Sequence, residues 1–157
     1  MGKAIILMGS KGDLPHAERI KETLQSFGIE ATLRIASAHK TPEKVLEIVK
    51  GEVGDEVVFI TVAGRSNALS GFVDAQTLKP VIACPPTSDR FGEADIFSNL
   101  RMPSGVAPLV VLEPEAAALA AAKILALKEK ALEEKIRKYQ EKKREEVERA
   151  DEEVRGG

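Results

Sequence analysis

Residues 4–13 read Ala-Ile-Ile-Leu-Met-Gly-Ser-Lys-Gly-Asp and predict the unit from which the fold is built. The apolar residues that open this stretch are typical of a short strand buried on both faces, and the glycines after them predict a loop. Asp13 and Pro15 are typical of a helix start, and apolar side chains then recur at helical spacing as far as Phe27. Gly28 predicts the helix end. Strand, loop and helix in this order form half of a βαβ unit.

The same pattern returns along the rest of the chain. Further strands are predicted at 29–35, 57–62, 81–84 and 109–112. Further helices are predicted from residue 42, after the third strand to about residue 78, across 94–100 and from residue 114. Strands that alternate with helices in this way predict a three-layer α/β domain with a five-stranded parallel sheet, flavodoxin-like or Rossmann-like. Ligands of such sheets bind at the carboxyl ends of the strands, so function is expected in the loops at that edge.

Length and composition are those of one globular domain. The chain has 157 residues, of which 43% are hydrophobic and 31% charged. A net charge of −2 gives no overall field that would attract nucleic acid or an anionic membrane, so any phosphate site must be local. No apolar run is long enough to span a bilayer, and the start of the chain lacks a signal-peptide pattern. A cytoplasmic protein with no nucleic-acid or membrane partner is therefore expected.

Cysteine and histidine are too scarce for a structural metal site. Cys84, the one cysteine, lies in an apolar run and is expected to be a packed core thiol. One cysteine and two histidines at unrelated spacing cannot supply a structural zinc site, so no metal is predicted. His16, in the first turn of the first helix, is expected to be an exposed helical side chain.

The C-terminal part of the chain changes character at residue 128. Residues 116–127 are small and apolar all round, so this helix is expected to need burial that one small domain does not provide, and a subunit interface is inferred. From 128 to 157 Glu, Lys and Arg dominate, apart from a thin apolar stripe at Leu132, Ile136 and Tyr139. We therefore expect an α/β domain at 1–127 and a charged helical tail at 128–157, either solvated or packed on a neighbouring subunit, with fraying from residue 151.

Three polar loops follow the first three predicted strands. In the first loop, residues 9–13, the hydroxyl of Ser10, the backbone of Gly12 and a helix N-terminus suit a phosphate or ribose. The alternative is that Asp13 only caps the next helix. In the third loop, residues 63–67, Arg65 offers a fork-shaped cation suited to a carboxylate or phosphate.

The second loop, residues 36–41, contains the most reactive combination of side chains. His39 can move protons near neutral pH, and the adjacent Lys40 can hold an anion while favouring the neutral imidazole. Ser37 adds a hydroxyl, and Thr41-Pro42 predicts the start of a helix. The alternative is a surface loop with incidental polar residues.

Together the loops resemble those of aminoimidazole ribonucleotide (AIR) carboxylases of de novo purine synthesis. The matching motifs are Met-Gly-Ser-x-x-Asp at 8–13, Ser-Ala-His-Lys at 37–40, Ala-Gly-Arg-Ser-Asn at 63–67, Ala-Cys-Pro-Pro at 83–86, Ser-Asn-Leu-Arg-Met-Pro-Ser-Gly at 98–105 and Glu-Pro at 113–114. They occur in the same order and at similar spacing, and the resemblance covers roughly residues 4–128. The tail matches only in being helical and charged.

The resemblance also distinguishes two classes of the family. The mutase class, which rearranges a carboxyamino ribonucleotide, carries Ser-Ala-His-Arg in the second loop and a further histidine in the third. This chain has Lys40 in the second loop and no histidine in the third. It is therefore similar to the class that joins CO2 directly to AIR without ATP, metal or biotin, so no cofactor is expected.

The resemblance implies a role for each matching residue. Ser10 and Asp13 would hold the ribose phosphate end, Ser37 and Lys40 would bind phosphate or the new carboxylate, and His39 would shuttle protons. The residues that would line the base and CO2 pocket are Gly64, Arg65, Ser66 and Asn67. Ala38 and Gly12 complete the predicted substrate-binding set.

One position departs from the family. Gly12 stands where the family usually has a serine whose hydroxyl helps to hold the substrate phosphate. Glycine keeps the backbone N–H but loses one hydrogen bond, worth about 0.5–1.5 kcal/mol. Substrate affinity, rather than reaction type, is expected to change.

Partners and alternatives complete the sequence-based picture. The resemblance implies small-molecule substrates, AIR and its carboxylated product together with CO2, and a homo-oligomer, an octamer. The alternatives are the mutase reaction and a non-catalytic ribonucleotide-binding or scaffold protein on the same fold. A flavodoxin-type electron carrier is disfavoured because aromatic residues make up only 4% of the chain, and the loops have none to stack on a flavin.

Overall fold

The computed structural model describes residues 1–52, 54–87 and 89–157. The strands are β1 (Lys3–Met8), β2 (Glu30–Ile35), β3 (Val57–Val62), β4 (Val81–Ala83) and β5 (Leu109–Val110), all parallel. The helices are α1 (Leu14–Ser26), α2 (Pro42–Gly51), α3 (Leu69–Ala75), α4 (Phe97–Leu100), α5 (Pro114–Ala126) and α6 (Lys130–Gly156). Short 3-10 turns cover Lys11–Asp13, Asp89–Phe91 and Ala94–Ile96. The predicted three-layer, flavodoxin-like α/β fold is confirmed.

Alternate residues of the strands supply the two faces of the sheet. On β1, Ala4, Ile6 and Met8 join a core beneath α1, α5 and the start of α6. Ile5 and Leu7 point the other way, into a second core beneath α2 and α3. Because helices cover both faces, the inner strands β1, β3 and β4 are buried almost throughout, whereas the edge strand β2 carries exposed polar residues.

Strand order places the functional edge beside β1. The order across the sheet is β2-β1-β3-β4-β5, so the chain moves outward from β1 to β2 and then crosses to β3 on the other side of β1. Ligands in open α/β sheets bind at such a reversal. Met8 is paired with Ile35 on one side and with Val62 on the other. The three polar loops therefore leave the sheet from one row of residues.

Three predicted elements end earlier than expected. β4 stops at Ala83, and Pro85-Pro86 beyond it have no amide hydrogens with which to extend a ladder. β5 pairs over Leu109–Val110 only, although Val111 still donates to the Ala83 carbonyl at 2.9 Å. α3 ends at Ala75, and the chain then turns, with Thr77 Oγ1 accepting from the Lys79 amide just before Pro80.

The first part of the charged tail packs on its own chain, which corrects the inference drawn from α5, whereas residues 141–157 are exposed. Leu132 and Ile136 are buried in the same core as the alanine face of α5, and Tyr139 contacts Phe27 with ring centroids 5.2 Å apart. α6 thus gives α5 part of the burial that was expected from another subunit, and self-association no longer follows from that helix. The expected fraying is also wrong, because α6 continues to Gly156.

A cation on α6 fixes the junction of tail and domain. Lys135 Nζ donates to the Phe27 carbonyl at 2.9 Å, at the end of α1. A positive charge is favourable at a helix C-terminus. Gly28 follows with φ 76°, and a Cβ there would lie 2.5 Å from Lys135 Nζ. Gly28 therefore both ends α1 and leaves room for this contact.

Candidate active site

Three loops on neighbouring strands form the candidate site. The first loop follows β1, the second follows β2 and the third follows β3, and β1 is hydrogen-bonded to both of the other strands. Neighbouring strands lie about 4.8 Å apart, so the starts of the loops lie within reach of one small ligand. This arrangement brings the sequence-predicted residues to a common edge.

The first loop folds on itself. Ser10 Oγ donates to Asp13 Oδ2 at 3.3 Å, and the Asp13 amide donates to the Ser10 carbonyl at 3.2 Å. Asp13 occupies the N-cap position of α1, but its side chain makes no hydrogen bond to the helix. Burial raises the pKa of Asp13, against the opposing effect of the hydrogen bond from Ser10. Simple helix capping therefore does not account for this carboxylate.

Gly12 leaves an open place in the first loop. Among the described residues, the one atom within 4 Å of a Cβ added there is Ser10 Oγ, at 3.5 Å, which is an ordinary van der Waals distance. The backbone of Gly12 is outside the positive-φ region. A Cβ, the first atom of a serine side chain, would therefore be accommodated here without a close contact.

The second loop is closed by its own side chains. The Ser37 amide donates to Thr41 Oγ1 at 2.9 Å, and the Lys40 amide donates to Ser37 Oγ at 3.1 Å. The Thr41 amide donates to the Ser37 carbonyl at 2.8 Å, immediately before α2. Ala38 is half-buried, whereas His39 is exposed. His39 and Lys40 therefore project from a turn fixed at its base.

The third loop takes a different backbone path. Arg65 is left-handed, with φ 59°, and its amide donates to Asp95 Oδ2 at 3.0 Å. The side chains of Arg65 and Ser66 are exposed. Among the described side chains, no carboxylate forms an ion pair with the Arg65 guanidinium. This cation is available to an anionic ligand.

Asn67 is turned inward. Its side chain is 7% exposed, and its Oδ1 accepts from the amides of Leu69 and Ser70 at 3.0 and 3.3 Å at the start of α3. Its Nδ2 donates to Ser70 Oγ and to Asn99 Oδ1. The prediction that Asn67 lines the substrate pocket stays a prediction, while the structure gives it a role in fixing the third loop.

The first and third loops face each other. The positive charge of Arg65 is one of the influences that lower the pKa of Asp13, although burial outweighs it. A Cβ added to Gly9 would lie 3.6 Å from the Cβ of Ala63 and 4.0 Å from Asp13 Oδ2. The two loops therefore approach closely at the reversal in strand order.

A cavity of about 140 Å³ opens beside the third loop, towards β4 and β5. Its lining residues are Gly64, Pro85, Pro86, Thr87, Glu93, Asp95, Ile96 and Leu112. Of the predicted site residues only Gly64 reaches it. The remaining lining comes from the proline pair and Thr87 after β4, from the segment before α4 and from Leu112 after β5, which the sequence had not assigned to the site.

His16 lies near the functional edge, and the prediction that it is an exposed helical side chain is wrong. It is half-buried rather than exposed, and its Nε2 lies 3.1 Å from the Cys84 carbonyl and 3.4 Å from Cys84 Sγ. Burial lowers the pKa of His16, so the neutral ring is favoured. The one available signal was the histidine's place one turn after the first loop. Through this contact His16 joins α1 to the end of β4.

Cys84 is the packed thiol that the sequence predicted. It is fully buried, and burial raises the pKa of its thiol to about 12. The thiolate is the reactive form, so this residue is inert near neutral pH. In the described part of the chain, no group of His, Cys, Asp and Glu side chains is arranged to hold a metal ion.

Chemically, the edge combines a proton-transfer group with cations. His39 and Lys40 come from the second loop and Arg65 from the third, while the first loop offers a hydroxyl and backbone amides. Such a set can bind an anionic substrate, stabilise a developing carboxylate and remove a proton. None of the helices in the described ranges has both the length and the apolar composition needed to cross a bilayer.

Comparison with known proteins identifies the family. The family model described as AIR carboxylase matches residues 3–146, so the match extends well into α6. A phosphoribosylaminoimidazole carboxylase of Archaeoglobus fulgidus is 65% identical over 153 residues, covering 98% of this chain and 85% of that protein. One from Treponema denticola is 58% identical over 125 residues, covering 78% of this chain and 79% of that protein.

A solved structure agrees with these matches. The crystal structure of Treponema denticola PurE superposes with a TM-score of 0.95 at 47% identity, covering 98% of this chain and 99% of that one. The resemblance found in the loops is confirmed by sequence and structure alike. This chain belongs to the AIR carboxylase family.

Proposed function

We propose that this chain carboxylates AIR with CO2 to give 4-carboxy-AIR, without ATP, metal or biotin. The observation that carries the proposal is the pairing of Lys40 with His39 in the second loop, together with a third loop, Ala-Gly-Arg-Ser-Asn, that has no histidine. The relatives in Archaeoglobus fulgidus and Treponema denticola are named as phosphoribosylaminoimidazole carboxylases, which supports the same reaction.

The proposed reaction forms one carbon–carbon bond and releases one proton. The electron-rich C4 of AIR attacks the carbon of CO2, and the two oxygens of CO2 become a carboxylate. Lys40 and Arg65 stabilise the negative charge that develops there. His39 removes the proton from C4, a step in which a positioned base typically contributes about 10²–10⁴-fold. No electron acceptor or phosphoryl donor is needed.

Substrate binding is assigned to the predicted set. The first loop holds the ribose phosphate end through Ser10, Asp13 and the backbone of Gly12. Ser37, Ala38 and Lys40 contact phosphate or the new carboxylate. The third loop lines the base and CO2 pocket, and the cavity beside Gly64 supports this assignment because prolines and aliphatic side chains make up much of its lining.

We also propose a cytoplasmic homo-oligomer, an octamer as the family resemblance implies. Large apolar side chains are exposed in the described residues on the β4–β5 side of the chain, and exposed apolar patches mark association sites. They are Phe91, Phe97, Leu100, Leu109 and Leu112, each between 43% and 56% exposed. Light scattering that shows a stable monomer would contradict this assembly.

The class is tested by giving the enzyme each substrate separately. AIR with excess CO2 is expected to yield 4-carboxy-AIR in the presence of EDTA and without ATP. The N5-carboxyamino isomer, supplied without CO2, is expected not to be converted. Rapid conversion of that isomer would assign the mutase reaction instead. Tight ribonucleotide binding without carboxylation at saturating CO2 would indicate a non-catalytic binding protein.

A further inference from the structure

The third loop holds a strained residue that its own sequence does not explain. Arg65 has φ 59°, in the left-handed region that costs free energy for any residue with a Cβ. Such strain persists only where surrounding contacts determine the backbone. The contacts that do so come from residues 95–99, which we call the latch segment.

Asp95 supplies the first of these contacts. Its Oδ2 accepts the Arg65 amide at 3.0 Å, and a Cβ added to Gly64 would lie 3.6 Å from the same oxygen. The half-buried carboxylate therefore lies directly against the backbone of residues 64 and 65. A hydrogen bond to an ionised acceptor is among the stronger ones in proteins.

Ser98 and Asn99 hold the far end of the third loop. Ser98 Oγ accepts the Asn67 amide at 3.0 Å. The same oxygen lies 2.7 Å from the Asp95 carbonyl and 3.1 Å from the Arg65 carbonyl, so its one proton serves one of them at a time. Asn99 accepts from the buried Asn67 side chain. The loop is thus fixed at the amides of residues 65 and 67 and at one side chain.

The contacts leave the functional end of the loop free. Asp95 is bonded to the main chain of Arg65, and the guanidinium remains exposed without an ion pair to any described side chain. Asp95 also lines the cavity beside Gly64, but its Oδ2 accepts from the Arg65 amide and does not neutralise the guanidinium. Its bond to an amide instead stabilises a backbone conformation, and with it the direction from which Arg65 reaches the site.

We propose that Asp95 is a positioning residue that acts on the reaction through Arg65. By holding the Arg65 amide, it keeps the residue left-handed and places the guanidinium at the functional edge. The effect on rate rests on the proposed carboxylation, whereas the effect on the loop does not. Misplacing a charge-stabilising group by about 1 Å can cost about 10²-fold in rate.

Hydrogen exchange tests the hold on the loop without using activity. In Asp95→Ala the Arg65 amide is expected to exchange at least about tenfold faster, because its acceptor is lost. Asp95→Asn retains an oxygen acceptor and is expected to restore most of the protection. The matched control is Asp55→Ala, which removes a carboxylate that is 91% exposed at the opposite end of β3. Unchanged exchange in Asp95→Ala would overturn the proposal.

A double-mutant cycle tests the route through Arg65. In the wild-type background Asp95→Ala is expected to lower kcat/KM by about 10- to 100-fold, with Asp95→Asn recovering most of it. In an Arg65→Ala background the same change is expected to cost less than about twofold, since the group that Asp95 positions is gone. A merely structural role would reduce activity equally in both backgrounds, and that result would overturn the proposal.

The remaining outcomes are also decisive. If Asp95→Ala does not fold, Asp95→Asn takes its place in the cycle: its weaker acceptor is expected to cost a few-fold in kcat/KM with Arg65 present and nothing without it. If Asp95→Asn is fully active and its hydrogen exchange is unchanged, Asp95→Leu, which has no acceptor, becomes the deciding variant. If the wild-type chain is inactive on AIR, the proposed function is wrong. Hydrogen exchange in the Asp95 variants would then still test whether Asp95 holds the third loop.

Discussion

The second and third loops both carry residues of the proposed site, but they are held in opposite ways. Within the second loop, hydrogen bonds link Ser37 to Lys40 and Thr41, at most four residues away. The third loop is held from the latch segment, with Arg65 bonded to Asp95 across 30 positions and Asn67 to Asn99 across 32. One loop is a local turn, and the other depends on tertiary structure.

This difference separates two ways of building a reactive edge. The hydrogen bonds that shape the turn beneath His39 come from residues 37–41 themselves, so its geometry depends less on contacts elsewhere in the domain. A loop held by distant groups can keep a strained conformation that no local sequence would favour. Substitutions elsewhere in the domain should therefore disturb the third loop more than they disturb the second loop.

The largest effect is expected in the second loop, from loss of its proton-transfer group. His39→Asn is expected to lower kcat by about 10²–10⁴-fold with little change in stability, because the side chain is exposed. His16→Asn is the matched control, since it removes the half-buried histidine bonded to the Cys84 carbonyl. That variant is expected to lose stability rather than turnover. Near-normal turnover in His39→Asn would show that another group is the base.

The next effect compares how firmly the two loops are held. Asn99→Ala removes a partner of the buried side-chain amide of Asn67 and is expected to lower the free energy of unfolding by about 1–3 kcal/mol. Thr41→Val removes the acceptor of the exposed Ser37 amide and is expected to cost about 0.5–1.5 kcal/mol. Urea denaturation at one protein concentration measures both. An equal or larger loss in Thr41→Val would contradict the comparison.

A pH-dependent effect is expected from the first loop, which faces the third. Burial raises the pKa of Asp13, so ionising this group disfavours the folded state as the pH rises above about 4. Asp13→Asn removes that cost and is expected to unfold at a higher temperature than the wild type near pH 7. The difference should shrink as the pH falls towards and below about 4, because the wild-type carboxyl is then increasingly protonated in both states. Melting temperatures between pH 3.5 and 8 would reveal the trend, and a gain that persists at the acid end would contradict it.

The smallest effect is expected from restoring the family's usual residue. Gly12→Ser adds a hydroxyl on a Cβ that would lie 3.5 Å from Ser10 Oγ, an ordinary van der Waals distance. One extra hydrogen bond of about 0.5–1.5 kcal/mol corresponds to a KM for AIR that is about 2- to 10-fold lower. Steady-state kinetics at saturating CO2 would measure it. A higher KM would mean that the backbone of Gly12, and not the missing hydroxyl, determines binding at this position.

A structural feature can be predicted from the sequence when the residues that determine it lie close together along the chain. The strands, the loop positions and the start of α2 follow from short patterns such as Thr41-Pro42, and these predictions are confirmed. The place of His16 does not, because its contact with Cys84 joins residues 68 positions apart. The same holds for Asp95, whose bond to the Arg65 amide depends on where the chain returns after β4.

The tail shows the same limit from another side. The apolar surface of α5 could be read from its alanines, but its partner could not. The stripe of Leu132 and Ile136 is too thin to indicate by itself which surface it meets. Only the folded chain shows that α6 turns back onto α5 and α1. Hydrophobic pattern predicts that a surface is buried without saying what covers it.

Whether CO2 itself is joined to AIR can be measured by comparing how soon label from CO2 and label from bicarbonate appear in the product. The chain is mixed with AIR and either freshly dissolved ¹³CO2 or ¹³C-bicarbonate, at low temperature without carbonic anhydrase, so that the two carbon forms interconvert slowly. Direct carboxylation predicts an immediate burst of label in 4-carboxy-AIR from CO2 and a lag from bicarbonate. Carbonic anhydrase should abolish the difference. An immediate burst from bicarbonate with a lag from CO2, or no label from either, would contradict the account.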